Sequence, residues 1–477
     1  MSEKRSYKLI STKYIYSIKI LKIVYHRLTI VKTRDQLFIT CILLIMGSIF
    51  FGLLLNLESS DFRLSNNQLN ANVMMITNSD DSQEWFQLLH GSGGTAGYDI
   101  AIDNYGNCYS CGILSISDFA VSDAFLVKYD AKGTQLWNRT WGGSGSTIGN
   151  SVAIDQFTNR CYIVGNTGGD GFIVKYDLEG TQLWNRTWGS SGRDAGFGVA
   201  VDNYSNIYVA GTTDSADILS GDAILIKFDK NGNQMWNRTW GGPAGDKGKG
   251  VAIDSKNYCY LVGFTNSFGA GSEDFFIVKY NSTGTQLWNR TWGGLSDEVC
   301  NGIAIDNMDN CYLVGDNRNA ILLKLDSEGN QLWYRTWYGS EGADGWDIAL
   351  DKEFNCYIGG SVGVYDNFGK QHSAAFILKY SSSGVELGLR VVYTDDIYLG
   401  YGIAVDNHDN YYISGKILSA FVPSNDGAFI LRSNSLDPAH ISGFEWLFIL
   451  IVGQLVSLML IELKYLKKSN KISTKEN

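Results

Sequence analysis

An eleven-residue stretch with two tryptophans recurs along the chain, and this repeat constrains the fold more than any other feature. It reads GTQLWNRTWGG at 133–143, GTQLWNRTWGS at 180–190, GNQMWNRTWGG at 232–242 and GTQLWNRTWGG at 284–294, with a weaker copy, GNQLWYRTWYG, at 329–339. The first tryptophans of successive copies lie 45 to 52 residues apart. A period of this length indicates an array of similar structural units.

Each unit contains four short, strand-like segments in a constant order. In the best-formed unit these are GVAID at 250–254, YCYLVG at 258–263, FFIVKY at 275–280 and LWNRTW at 287–292. The segments are apolar or alternating and are separated by Gly, Asn or Asp turns, which is typical of β-strands. Four strands per unit at this period predict the blades of a β-propeller.

Two charged positions give the number of blades. An aspartate ends the first segment seven times, and a basic residue occupies the third segment seven times. The aspartates are Asp103, Asp155, Asp202, Asp254, Asp306, Asp351 and Asp406, and the basic residues are Lys128, Lys175, Lys227, Lys279, Lys324, Lys379 and Arg432. The tryptophan position recurs at Trp85, Trp137, Trp184, Trp236, Trp288 and Trp333, with Gly388 as a degraded seventh copy. The sequence therefore predicts an all-β protein with a seven-bladed β-propeller over residues 83–434.

The order of the segments predicts how the ring closes. EWFQLL at 84–89 precedes the first complete unit, and the last unit lacks a fourth segment. We expect the N-terminal strand to supply the outer strand of the last blade, which removes two exposed edges. Gly and Ala in the first segment suit the crowded axis, so the tryptophan strand is outermost. Trp137 and Trp141 should then pack on the neighbouring blade, with Arg139 stacked on a ring.

Two long apolar stretches flank the repeats. Each spans about 20 residues, which is enough for a helix to cross a bilayer. A basic segment precedes the first stretch and another follows the second, so the positive-inside rule places both termini in the cytoplasm and the propeller outside the cell membrane. A buried core helix is the alternative for each stretch. The predicted order is a basic segment (1–36), a signal-anchor transmembrane helix (37–57), a polar stalk (58–82), the propeller (83–434), a linker (435–443), a second transmembrane helix (444–463) and a basic tail (464–477).

The charge distribution argues against nucleic-acid binding. The net charge of the chain is −10, and the two terminal segments are strongly basic. The body between them is therefore more acidic than the whole chain, and it repels phosphate backbones.

The repeat now supports a resemblance. The pattern GVAIDxxxNxYLVG…FFIVKYDxxGxxLW resembles the seven-bladed β-propeller repeat, of SBBP type, found in archaeal and bacterial surface proteins. DAKGTQLW is also similar to the tryptophan-docking motif of pyrroloquinoline-quinone propeller dehydrogenases, a structural likeness that brings no quinone site with it. SGFEW, the apolar span and the basic end resemble C-terminal sorting signals of surface proteins, which implies that a protease removes the span.

Six asparagines fit the acceptor pattern for N-glycosylation. Duplication of one ancestral WNRTW explains the four Asn-Arg-Thr copies equally well, and Asn281, in a turn, is the best single candidate. The six are Asn138, Asn185, Asn203, Asn237, Asn281 and Asn289.

The remaining polar positions have structural and functional interpretations. Recurring turns such as DNYGN, DNMDN and DNHDN could bind calcium. We favour the interpretation that they are Asx turns, in which the side chain bonds its own backbone. The seven basic residues of the third strands should pair with the seven aspartates. The alternative is a charged channel that binds an anion. Cysteines such as Cys108, Cys161 and Cys259 read as small buried hydrophobes.

We predict no catalytic residue, cofactor or metal, because HExxH and Walker patterns are missing from the sequence. In a symmetric array, a ligand site should lie at non-repeated residues. The long connections between second and third strands, 113–122, 212–221, 264–274 and 361–374, are the predicted ligand face. Their candidate residues are Asp217, Asp222, Phe268, Glu273, Asp274, Tyr365 and His372.

Three functions remain open at this point, because fold alone does not choose among them. The first is a membrane-anchored, non-enzymatic scaffold for a surface protein or glycan. The second is a cell-envelope polysaccharide lyase or hydrolase. The third is a structural surface-layer component that associates with itself.

Overall fold

A computed structural model describes residues 84–90, 94–115, 122–143, 145–189, 192–214, 221–339, 341–365, 371–392, 396–418, 426–434 and 436–438. Within these ranges the chain forms seven antiparallel β-sheets, so the seven-bladed propeller is confirmed. The predicted spans 37–57 and 444–463, the stalk 58–82 and both basic ends lie outside the described residues. In the described part, no helix has the length and apolarity needed to cross a membrane.

The first four blades each consist of four consecutive strands. They are β2 (Ala96–Ile102), β3 (Cys108–Ser115), β4 (Ser122–Tyr129) and β5 (Gln135–Trp141) in blade 1; β6 (Thr147–Asp155), β7 (Arg160–Thr167), β8 (Asp170–Asp177) and β9 (Gln182–Trp188) in blade 2; β10 (Ala195–Val201), β11 (Ile207–Thr213), β12 (Asp222–Phe228) and β13 (Gln234–Trp240) in blade 3; and β14 (Asp246–Ile253), β15 (Cys259–Thr265), β16 (Asp274–Tyr280) and β17 (Gln286–Trp292) in blade 4.

The last three blades follow the same order with two additions. Blade 5 contains β18 (Val299–Ile305), β19 (Cys311–Asp316), β20 (Ala320–Leu325) and β21 (Gln331–Trp337); blade 6 contains β22 (Ala343–Leu350), β23 (Cys356–Tyr365), β24 (Gln371–Tyr380), β25 (Glu386–Val392) and the short β29 (Asp437–Pro438); blade 7 contains β26 (Ile397–Val405), β27 (Tyr411–Leu418), β28 (Gly427–Ser433) and, as its outer strand, β1 (Trp85–His90). The predicted closure by the N-terminal strand is confirmed. β29 lies within the segment 435–443, which the sequence assigned to a linker.

The hydrophobic core lies between blades rather than within them. The cluster between blades 1 and 2 joins Tyr109 and Leu126 of one sheet to Ile163 and Phe172 of the next, and all four are buried. Six further clusters of this kind are formed by the described residues. The described cysteines are buried free thiols within these layers, as expected of small hydrophobic residues.

The outer strand of one blade binds the turn that joins the third and fourth strands of the next. The indole Nε1 of Trp137 donates to the carbonyl of Leu178 at 3.0 Å, and Nε of Arg139 donates to the carbonyl of Gly180 at 2.7 Å. Lys128 Nζ donates to the same Leu178 carbonyl at 3.1 Å. The guanidinium of Arg139 also lies 5.3 Å from the ring centre of Trp137, so the predicted stacking is confirmed. We call this set of bonds the inter-blade clamp.

The clamp recurs around the ring with few variations. Four further indoles donate to a backbone carbonyl of the next blade: Trp184 to Lys230, Trp236 to Ser282, Trp333 to Ser382, and Trp85 to Ala131 of blade 1. Three further guanidinium groups donate through Nε to the carbonyl of a turn glycine: Arg186 to Gly232, Arg238 to Gly284, and Arg335 to Gly384. Each turn glycine has a positive φ near 80°, and a Cβ there would press on the tryptophan or arginine of the preceding blade.

Blade 7 has no such turn, because its outer strand comes from the other end of the described chain. Gly388 stands where blade 6 would carry its tryptophan. Arg390 instead donates to Glu84 at 2.6 Å, to Ser433 at 2.7 Å and to Tyr411 at 2.9 Å. One guanidinium thus joins both strand ends that meet in the closing blade.

The predicted pairing of the seven aspartates with the seven basic residues is confirmed as an ion pair in five blades. Lys279 Nζ lies 3.4 Å from Asp254, and both side chains are almost fully buried. The hydroxyl of Tyr260 donates to the same carboxylate at 3.1 Å. The other four ion pairs are Lys128–Asp103, Lys227–Asp202, Lys324–Asp306 and Lys379–Asp351, at 3.9, 3.7, 3.4 and 3.1 Å. These lysines lie on third strands rather than on the innermost strands, which favours the structural interpretation over an anion channel.

Blade 2 departs from this pattern for a local reason. Its first turn, DQFTNRCY, has one residue more than the others, so Tyr162 follows its aspartate by seven positions instead of six. Asp155 bonds within its own turn, to the N–H groups of Phe157 and Thr158. Among the described residues, the Tyr162 hydroxyl has no hydrogen-bond partner, and Lys175 makes no ion pair. Lys175 donates instead to the carbonyl of Lys230 at 2.8 Å.

This difference predicts opposite results for one substitution made in two blades. Tyr260→Phe removes a donor to a buried carboxylate and should lower the free energy of unfolding by about 1–2 kcal/mol. Tyr162→Phe removes a buried hydroxyl that has no partner and should leave stability unchanged or raise it. Urea unfolding of both variants checks the prediction, and equal losses in the two blades would contradict it.

Candidate functional site

Each innermost strand contains a β-bulge at the same repeat position. Pairing with the second strand shifts by one residue at the bulge, which leaves one residue unpaired. A bulge turns a side chain away from its regular direction, and small residues beside it allow close approach of the next strand. The unpaired residues are Tyr98, Asn150, Phe197, Lys249, Asn301, Trp346 and Tyr401. We call these seven the axial ring.

The axial ring surrounds the propeller axis. The seven innermost strands contact one another in sequence, and β26 of blade 7 contacts β2 of blade 1. All seven side chains are half-buried, whereas residues on either side of them in the strands are mostly buried. The frame repeats almost unchanged around this ring, but the ring itself holds two Tyr, two Asn, Phe, Lys and Trp. Non-repeated chemistry is therefore concentrated at the axis.

One side of the ring is aromatic. Trp346, Tyr401 and Tyr98 follow one another in blades 6, 7 and 1. The ring centres of Trp346 and Tyr401 are 5.6 Å apart, and those of Tyr401 and Tyr98 are 5.3 Å apart. Burial raises the pKa of Tyr401 to about 12, so this hydroxyl stays neutral at physiological pH. The Trp346 indole N–H has no hydrogen-bond partner within the described chain.

The other side is charged and amide-bearing. Lys249 lies 4.7 Å from the ring centre of Phe197, and burial together with Lys247 lowers its pKa. Asn301 donates to Asp316 at 3.0 Å and to the Gly345 carbonyl of the next blade at 2.9 Å. Burial, reinforced by the charge of Asp344, raises the pKa of Asp316 to about 7. Burial also raises the pKa of Glu273, in the connection between β15 and β16.

Two carboxylates follow the bulge in blades 1 and 6. Asp99 accepts hydrogen bonds from Ser151 Oγ at 2.7 Å and from the N–H of Val152 at 2.8 Å, both in blade 2. Asp347 accepts one from the N–H of Ile403 in blade 7 at 2.9 Å. Burial raises the pKa of Asp99 to about 6, and burial with the nearby charge of Asp99 raises the pKa of Asp347 to about 8. The pair can hold a proton at neutral pH.

The predicted glycosylation asparagines lie on the outside of the propeller. Asn138, Asn185, Asn237 and Asn289 are exposed on the outer strands β5, β9, β13 and β17. Asn203 is exposed in a turn, and Asn281 is half-buried, with its Oδ1 accepting bonds from the N–H groups of Thr283 and Thr285. Glycosylation of the six sites stays a prediction.

The predicted ligand-face residues are distributed over several environments. Phe268 is exposed, and its ring centre lies 5.3 Å from that of Trp240. His372 is buried in β24, and Tyr365 is the last residue of β23. Asp222 and Asp274 begin third strands and lie between blades, and Glu273 belongs to the charged side of the axial ring. Asp217 lies outside the described residues. The axial ring was missed, although the varying residue in GYD, GNS, GFG, GKG and GWD marks it in the sequence.

The Asp and Asn turns are closed by their own hydrogen bonds. Asp103 Oδ1 accepts from the N–H groups of Tyr105 and Asn107 at 2.9 Å each, as expected of an Asx turn. Three acidic residues in these turns, Asp351, Glu353 and Asp409, bring one carboxylate oxygen each to within 4.8 Å of the others. Lys379 pairs with the first of these carboxylates at 3.1 Å, and Lys352 pairs with Asp409 at 3.3 Å. Lysines already neutralise this group.

A comparison with known families agrees with the repeat. Residues 185–218 match the family model of the SBBP beta-propeller repeat. No curated protein matches the chain. Among solved structures, the chain is similar to the WD40 beta propeller domain of Doa1, with 14% identity, a TM-score of 0.48, and coverage of 74% of this chain and 98% of that one. It is also similar to the Neurospora crassa Pan2 WD40 domain, with 10% identity, a TM-score of 0.46, and coverage of 76% and 99%.

The axial carboxylates predict a pH-dependent term in stability. The folded-state pKa of Asp347, about 8, lies above the unfolded value of about 3.9, so the folded protein keeps a proton that the unfolded chain releases. This stabilisation is complete below about pH 4 and is lost as the pH rises to about 8. In Asp347→Asn, the free energy of unfolding should therefore fall less than in the wild type over this range. Urea unfolding at several pH values measures the difference, and parallel curves would contradict the assignment.

Proposed function

We propose that this protein is a membrane-anchored, extracytoplasmic β-propeller that acts as a non-enzymatic interaction scaffold, and that it binds a glycan at the axial ring. The observation that carries the proposal is the contrast between a repeated frame and a non-repeated ring. A symmetric frame has no structural need for Trp, Tyr, Lys and Asn at equivalent positions. Binding sites typically combine such apolar rings with a few placed polar groups.

A glycan fits both sides of the ring. The apolar face of a sugar packs against half-exposed aromatic rings such as Trp346 and Tyr401, which contribute area with little loss of conformational entropy. Sugar hydroxyls need donors and acceptors, and Lys249, Asn301 and Asp316 provide both. The acidic balance of the chain disfavours anionic polymers, so we expect a neutral or cationic glycan.

The hydrogen bonds of the axial carboxylates favour binding over catalysis. Asp99 accepts three bonds, from Ile100, Ser151 and Val152, and Asp347 accepts bonds from Ile348 and Ile403. Carboxylates engaged in this way hold neighbouring innermost strands together. They are poorly placed to exchange a proton with a substrate, because the lone pairs that would face it already accept protein N–H and O–H groups.

A second candidate is a cell-envelope enzyme that cleaves polysaccharide, and one observation favours it. Two nearby carboxyl groups have raised pKa values of about 6 and about 8, as an acid and base working at neutral pH would. Release of new chain ends from a bound polysaccharide, abolished in Asp347→Asn, would favour this candidate over the scaffold.

The cellular placement rests on the sequence. The apolar stretches 37–57 and 444–463 with their basic flanks support anchoring in the cell membrane with the propeller outside. The four exposed Asn-Arg-Thr sites on outer strands are accessible to a glycosylating enzyme, which supports the same placement.

Binding to an array of neutral and amino-sugar oligosaccharides tests the proposed function. Trp346→Ala should weaken binding at least about tenfold, because it removes a large aromatic surface at the centre of the site. Tyr204→Ala is the matched control, since Tyr204 is 73% exposed in a turn between first and second strands, away from the proposed ligand face. Loss of binding in both variants, or in neither, would contradict a site at the axial ring.

A further inference from the structure

The glycine that follows each outer tryptophan lies against a carboxylate. A Cβ at Gly142, Gly189, Gly241 or Gly293 would collide with the aspartate that begins the third strand of the same blade. These aspartates are Asp123, Asp170, Asp222 and Asp274. At three of the four positions a second carboxylate, at or directly before the start of the first strand of the next blade, approaches the same glycine. The second carboxylates are Asp194, Asp246 and Glu298, at 3.0, 2.7 and 2.8 Å from the Cβ position.

The pair between blades 4 and 5 is the most enclosed. Asp274 is 1% exposed and Glu298 is 4% exposed. Asp274 Oδ2 accepts from the Gly271 N–H at 2.9 Å, and Glu298 Oε2 accepts from the Gly294 N–H at 2.9 Å. Asp274 Oδ1 is the atom that faces Gly293 and Glu298, and it has no hydrogen-bond partner in the described chain. A buried anionic oxygen is thus directed at a second carboxylate.

The pair between blades 3 and 4 is similar but less enclosed, because Asp222 is half-buried and the oxygen of Asp246 that approaches Gly241 is Oδ2. Asp246 is fully buried, and its Oδ2 accepts from the Gly242 N–H at 2.8 Å and from Ser267 Oγ at 2.7 Å. Its Oδ1 has no partner among the described residues. Burial and the charge of Asp246 raise the pKa of Asp222 across the junction. Two independent junctions therefore place two carboxylates together and leave one buried oxygen without a donor.

Neither pair has a cationic side chain to balance it. No lysine or arginine in the described ranges forms an ion pair with any of these four carboxylates. Adjacent carboxylates without a counter-charge are unfavourable, most of all where both are buried, as Asp274 and Glu298 are. A bound cation or a shared proton would relieve this repulsion in each pair. Near the more enclosed pair, the carbonyls of Gly294 and Ser296 lie against Gly271, so backbone oxygens are also available. Hard divalent cations prefer such oxygen ligands.

We propose that the protein binds a calcium-type divalent cation at each of these two junctions, between Asp222 and Asp246 and between Asp274 and Glu298. Each cation joins the start of a third strand in one blade to the start of the first strand in the next. It therefore fixes the connection 264–274 in blade 4, and the start of β12 in blade 3, at the edge of the propeller where second strands end and third strands begin. These sites are distinct from the Asp and Asn turns, whose carboxylates are occupied by their own backbone.

The test is titration of the full-length, detergent-solubilised protein, first freed of metal by chelator, with Ca²⁺ and Tb³⁺. Trp292 directly precedes Gly293, so an indole is available to excite Tb³⁺ luminescence at the blade 4 junction. We expect two cations per chain by calorimetry and a higher melting temperature with Ca²⁺ than with chelator. Asp274→Asn with Glu298→Gln should remove one cation and the Trp292-excited signal, and Asp222→Asn with Asp246→Asn should remove the other.

The junction between blades 1 and 2 provides a matched control. Asp123 occupies the same position as Asp274, but a threonine, Thr147, replaces the second carboxylate. Asp123→Asn should therefore bind two cations, as the wild type does. In chelator, Glu298→Gln should melt at a higher temperature than the wild type, because it removes a buried like-charge contact while Gln still accepts from Gly294.

Several results would overturn the proposal. They are the absence of Ca²⁺ and Tb³⁺ binding at millimolar concentration, unchanged binding in both double variants, or equal loss of binding in Asp123→Asn. A melting temperature that responds to pH but never to Ca²⁺ would show that each pair shares a proton instead.

Discussion

The structure depends on hydrogen bonds from the outer strand of one blade to backbone carbonyls of the next. The indole of Trp137, the guanidinium of Arg139 and the ammonium of Lys128 all donate to the turn 177–181. These carbonyls belong to a tight turn and have no strand partner, so the clamp satisfies polar groups that would otherwise rely on water. It also explains why WNRTW recurs: Trp, Arg and Trp share the face that contacts the next blade, whereas Asn and Thr point outward.

A repeated clamp lets the rest of the propeller vary. Because it acts at the outer edge, the innermost strands can exchange side chains at the bulge without altering the clamp. The axial ring uses this freedom to place aromatic residues in blades 6, 7, 1 and 3 and charged or amide residues in blades 2, 4 and 5. At three junctions, two of which carry the proposed cation sites, paired carboxylates stand where the junction between blades 1 and 2 pairs an aspartate with a threonine. The functional proposals rest on these departures from the repeat.

Much of the frame could be predicted from sequence because it depends on spacing. The position of EWFQLL before the first unit was enough to predict closure by β1, and the alternation in WNRTW was enough to predict stacking of Arg139 on Trp137. Blade 2 was harder, because one extra residue before Tyr162 separates Asp155 from Lys175 without changing the segment pattern. The axial ring was missed because a bulge is a property of register between strands. Asp222 and Asp274 were selected as loop residues, but only three-dimensional packing shows the carboxylates they face.

Hydrogen exchange measured by mass spectrometry on the double variant Trp236→Phe, Arg238→Met tests the central role of the clamp most directly. These substitutions remove the indole donor to Ser282 and the guanidinium donor to Gly284. They keep the bond from Lys227 to Ser282 and large side chains at the outer edge. The account predicts faster exchange in β13 and in the turn 281–285 of the next blade, with little change at distant junctions and none in Asn237→Gln, whose side chain points outward. Unchanged exchange at 281–285, or the same increase in Asn237→Gln, would contradict it.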